Sequence, residues 1–104
     1  MVHVNIGISG DLIQSVTVKG HACSGEYGQD LVCAGVSSIM TGALNALDIL
    51  FPDQCRLVMS GNRMEAAAAS GNKQLQAVLR AIEIQLETMA EQFPDNINVI
   101  RKEV

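Results

Sequence analysis

Val2, Val4, Ile6 and Ile8 alternate with His3, Asn5 and Gly7. A two-residue period puts one set of side chains on one face, so this run predicts a strand with a single buried side. Ser9-Gly10-Asp11 supplies turn residues. A second strand follows from Leu12 to Gly20, with Val16 and Val18 inward and Ser15, Thr17 and Lys19 outward. The two strands form a predicted hairpin. The period then changes. Val32, Val36, Ile39, Ala43, Leu47 and Leu50 recur at helical spacing, with Asp30 as the N-cap and Phe51-Pro52 as the stop.

The pattern then repeats. Arg56 to Ser60 predicts a strand, and Gly61-Asn62 a turn. Arg63 to Ala69 contains four successive alanines, which favour helix by propensity. The run is short and bounded by turns, so it is assigned as the second strand of a hairpin. Asn72 caps a helix whose apolar stripe is Leu75, Val78, Leu79, Ile82, Leu86, Met89 and Phe93, with Pro94 ending it. Ile84 falls off that stripe and is available to a partner. Ile97 to Ile100 predicts a last strand. The order is β-β-α-β-β-α-β. It predicts an α/β (α+β) two-layer sandwich, with both helices on one face of a mixed sheet. The other face is left to solvent or to a dimer interface.

Composition narrows the reading. The 104 residues fit one domain spanning 1–104, long enough to bury a sizeable core without a metal or disulfide. Net charge is −4, and the seven Lys and Arg residues are scattered along the chain. That pattern argues against direct nucleic-acid binding. Aromatic residues make up 3%, which leaves little for base stacking. No apolar run approaches the length of a membrane span, and the N-terminus lacks the basic and apolar regions of a signal peptide. The expectation is a cytoplasmic protein with reduced thiols.

The chemistry-bearing residues cluster in one stretch. Gly20-His21-Ala22 ends the second strand, and Cys33 stands three residues after the proposed cap of the first helix. A thiol in a first helical turn is acidified by the helix dipole and by unpaired N–H groups. A neighbouring imidazole can take its proton. By itself, Cys33 is more often a small buried hydrophobe, and a strand-end histidine is more often a surface residue. Together they favour a dyad at one sheet edge. Ser24, Gly25 and Gly28 lie in the connecting loop and Ser37 one turn beyond Cys33, as candidate substrate contacts. Asp30 is better explained by capping than by orienting His21. His21, Cys23 and Cys33 would make only three zinc ligands, and paired Cys-x-x-Cys spacing is absent, so no metal or other cofactor is assigned. Cys23 could form a redox pair with Cys33. Cys55 is expected to be buried and inert. Glu83, Glu87 and Glu91 read as a solvated face, and Met40, Met59, Met64 and Met89 as core filler.

Gly20-His21-Ala22, followed by Gly28-Gln29-Asp30-Leu31-Val32-Cys33-Ala34-Gly35-Val36-Ser37, resembles the signature of the bacterial ribosomal-processing cysteine proteases, the Prp family. The element order and length fit as well, so the resemblance covers essentially the whole chain. It implies a homodimeric α/β protease with Cys33 as nucleophile and His21 as base, and with a mobile loop over residues 22 to 29. It also implies a substrate: the N-terminal extension of a large-subunit ribosomal protein, the twenty-seventh in standard naming, cut after an aromatic residue and before a small one. The alternatives from the residues alone are a non-catalytic peptide-binding module and a Cys23/Cys33 redox sensor associated with ribosome biogenesis.

Overall fold

A computed structural model describes residues 1–20 and 27–104, with 27–29 described as backbone only. The elements are β1 (Val2–Ser9), β2 (Leu12–Lys19), α1 (Tyr27–Leu50), β3 (Cys55–Ser60), β4 (Arg63–Ala68), α2 (Lys73–Gln92) and β5 (Ile97–Glu103). They follow the expected β-β-α-β-β-α-β order. The five strands form one mixed sheet in the order β3-β4-β2-β1-β5. Each hairpin is antiparallel, β2 and β4 join the hairpins, and β5 adds parallel to β1. The repeated ββα units thus lie side by side.

The core is a layer between the sheet and the helices. Val2, Val4, Ile6 and Ile8 of β1, Ile13, Val16 and Val18 of β2, and Met64 and Ala66 of β4 are all buried. Val36, Met40 and Leu47 from α1 and Leu75, Leu79 and Leu86 from α2 are buried in the same cluster. The alanine run is a strand because it completes a hairpin. Ala66 pairs with both Val16 and Leu57, so tertiary pairing overrides helix propensity.

Asn72 caps α2 as expected. Its Oδ1 accepts from the backbone N–H of Gln74 at 2.8 Å and of Leu75 at 3.2 Å. By length and composition α1 could cross a membrane, but its inner side is packed here against the sheet.

Several sequence expectations need correction. Helix α1 begins at Tyr27, three residues before the cap assigned to Asp30. Asp30 therefore lies inside the first turn, where a carboxylate still complements the dipole. The buried stripe of α1 includes Cys33, Met40 and Leu44, and Phe51 just after the helix is buried too, whereas Leu50 is exposed. Phe93 and Met59 are also exposed rather than core. The last strand runs on to Glu103.

Glu83 is the sharpest departure. It is fully buried rather than solvated. Its Oε2 accepts from Arg101 Nε of β5 at 2.9 Å, and its Oε1 lies 2.9 Å from Arg80 Nη1. A buried carboxylate needs such partners, and the pair ties α2 to the edge strand.

The layer predicts a contrast along α2. Leu86→Ala should cost about 2–5 kcal/mol in urea unfolding. Ile84→Ala, on the exposed side, should stay within about 0.5 kcal/mol.

Candidate functional site

Strand β2 ends at Lys19, and Gly20 turns the chain. Gly20 has φ +83°, and a Cβ placed there would sit 2.6 Å from the backbone oxygen of Met1. A side chain is thus excluded both by conformation and by space. This corner lies beside α1. Cys33 Sγ is 3.6 Å from the Gly20 carbonyl oxygen. That carbonyl belongs to the peptide bond joining Gly20 to His21. The fold therefore brings the Gly20 carbonyl against the sulfur of Cys33.

Because α1 starts at Tyr27, Cys33 stands in its second turn rather than its first. The dipole effect fades beyond the first turn, so the acidification expected from the helix start is weaker than the sequence suggested. Cys33 is 4% exposed and belongs to the core cluster. It is disulfide-bonded in the structure, and a sulfur in that state is no nucleophile.

Cys55 is a free thiol at the start of β3, half-buried. Burial pushes its pKa up, because desolvation disfavours the thiolate. Its expected inertness thus has a physical basis, although it is less deeply buried than anticipated.

The remaining sequence-assigned residues divide as follows. His21, Cys23, Ser24 and Gly25 lie outside the described residues, whereas Gly28, expected in the loop, belongs to the first turn of α1. Ser37 is half-buried, four residues beyond Cys33 on α1, so the two share a helix face. Ser38 lines a shallow groove between α1 and α2 with Ile39, Val78 and Ile82. Among the described residues no cluster of three His, Cys, Asp or Glu could hold a metal ion.

A groove of about 600 Å³ lies farther along α1 against β3, lined by Thr41, Leu44, Asn45, Asp48, Leu57 and Met59. It is two turns and more beyond Cys33. Sequence reasoning missed it because it forms only when the edge strand and the exposed side of α1 meet.

Gly20→Ala should lower stability by about 1–2 kcal/mol from the left-handed backbone alone. It should also displace the carbonyl facing Cys33. Thermal unfolding and the reactivity of the Cys33 thiol measured together would report both effects.

Comparison with known proteins places this geometry. The family model described as cysteine protease Prp matches residues 1–98. The chain is 30% identical over 108 residues to the ribosomal processing cysteine protease Prp of Staphylococcus aureus strain Mu50, covering 95% of this chain and 97% of that protein. It is 32% identical over 94 residues to the protein of the same name from Bacillus subtilis strain 168, covering 84% of each. In three dimensions it is similar to the crystal structure of the S. aureus protease in complex with a substrate peptide. The TM-score is 0.86 at 29% identity, covering 98% of this chain and 100% of that one.

Proposed function

This chain belongs to the Prp family of cysteine proteases, and we propose that it is a Cys33–His21 endopeptidase acting on a ribosomal protein. The observation that carries the assignment is the 3.6 Å approach of Cys33 Sγ to the carbonyl of the Gly20–His21 peptide. Of the two described cysteines, only Cys33 lies at that corner, and Cys55 begins the edge strand β3. The proposed substrate is the N-terminal extension of the twenty-seventh large-subunit ribosomal protein, cut after an aromatic residue and before a small one.

In this mechanism the reduced Cys33 gives its proton to His21. The thiolate attacks the scissile carbonyl carbon. Backbone N–H groups near the start of α1 stabilise the oxyanion. The C–N bond then breaks as His21 protonates the leaving amine. Water hydrolyses the thioester, releasing the acid and restoring the Cys33 thiol. Ser24, Gly25, Gly28 and Ser37 are assigned to hold the peptide. Loop closure over it would exclude water.

The disulfide at Cys33 favours a second reading, redox control of the same sulfur, for which the sequence offers Cys23 as partner. A thiol reductant supplying two electrons would free the nucleophile, which suits the cytoplasmic setting expected from the sequence. The homodimer belongs to the same proposal. Met59, which lines the α1–β3 groove, and Ile49 and Leu50 at the end of α1 are 58%, 68% and 60% exposed, apolar side chains that a second copy would cover.

A peptide spanning the extended N-terminus, read by mass spectrometry, tests the assignment. Reduced protein should cut once. Cys33→Ala and His21→Ala should lower the rate by at least about a thousandfold without changing the melting temperature by more than a few degrees. Full activity in Cys33→Ala would overturn the proposal. Protein handled without reductant should be inactive and should recover with dithiothreitol, whereas equal rates in both conditions would remove the redox reading.

A further inference from the structure

The seven Lys and Arg residues are scattered in sequence, but the sheet gathers four of them. The face of the sheet turned away from the helices carries Ser15, Thr17 and Lys19 of β2, opposite in parity to buried Val16 and Val18. Strand register extends that face in rows. Lys19 pairs with His3 on one side and with Arg63 on the other. Ser15 pairs with Gly7 and Ala67, which pair in turn with Lys102 and Arg56. Lys19, Arg56, Arg63 and Lys102 therefore share this face with His3. Of the eleven acidic residues in the chain, the strand register puts Glu65 alone there, bonded to Arg63 at 2.7 Å and to Thr17 at 3.1 Å. A chain of net charge −4 thus presents a cationic sheet face and an acidic remainder.

Like charges directly opposite each other on neighbouring strands are unfavourable. Lys19 stands beside Arg63 in one row, and an anion across the row would relieve that repulsion. Between the cations stand Thr17, Asn5 and Asn98, side chains that can bond phosphate and sugar oxygens. Apart from the His3 imidazole the face has no aromatic ring, so nothing on it stacks on bases.

From β3 to β5 the cations span four strand spacings, about 19 Å, and from the Lys19 row to the Lys102 row about 13 Å. That footprint suits the backbone of a duplex better than a single small anion. We propose that this open sheet face docks on the phosphate backbone of folded RNA. The choice of RNA over DNA rests on the ribosomal-processing reading. Docking would hold the protease at its ribosomal target while leaving the Gly20 corner, at the end of β2, beside the bound particle.

The test uses the full chain and a fluorescein-labelled 20-base-pair RNA duplex, followed by anisotropy from 25 to 200 mM salt. With Arg63 held by Glu65, the three remaining cations predict a log–log salt slope of about −2.7. The triple variant Lys19→Gln/Arg56→Gln/Lys102→Gln should bind at least tenfold more weakly at 50 mM salt, with a slope near zero. Its rate on the free peptide should match the wild type, so loss of RNA binding is separated from loss of the protease. RNA binding without peptide cleavage by the wild type would sink the protease reading and leave the docking face standing. No salt-dependent binding, or a triple variant that binds like the wild type, would overturn the proposal. Equal binding of a DNA duplex would overturn the choice of RNA. Charge-dependent self-association in sedimentation, with no RNA complex, would assign the face to a second copy instead.

Discussion

The close approach at Gly20 is the constraint on which the candidate site depends. The backbone there is left-handed, and the Met1 carbonyl closes the space a side chain would need. Only glycine meets both demands. The conformation it permits sets the Gly20 carbonyl against Cys33 Sγ. Packing of α1 fixes the other partner. Val32 and Val36 are buried on either side of Cys33, so the sulfur is held by the same contacts that hold the helix on the sheet. The site is thus a by-product of the core, with no separate scaffold.

Burial of Cys33 has two chemical consequences. It keeps the sulfur from most of the solvent, and it makes access of a peptide depend on what happens at the Gly20 corner. The second-turn position removes much of the helix-dipole contribution to thiol acidity. In the proposed mechanism, thiolate formation would then rely more on His21 than on the helix start. The comparison between Cys33 and Cys55 is instructive here. Cys55 has only its burial, which raises its pKa; Cys33 lies against the carbonyl of Gly20, the residue that precedes His21 in the sequence.

Much of the fold was legible because alternation and helical spacing report burial directly. The β1 pattern, the Asn72 cap and the exposed Ile84 all read correctly for that reason. Three features were hidden for physical reasons. The start of α1 was misplaced because Asp30 is as favourable in a first turn as at a cap. Glu83 looked solvated because its helical spacing with Glu87 and Glu91 cannot reveal that Arg101 arrives from β5. The clustering of the basic residues was invisible because it arises from pairing between strands far apart in sequence. The element order followed from sequence; charge placement required the register.

The central claim is that Cys33 is the atom that attacks the substrate. The most direct measurement is to treat the reduced chain with a substrate-like peptide carrying a thiol-reactive electrophile in place of the scissile bond, and to map the adduct by tandem mass spectrometry. The account predicts one peptide per chain, attached to Cys33 and lost on His21→Ala. An adduct on Cys55 or Cys23 with Cys33 unmodified would contradict it.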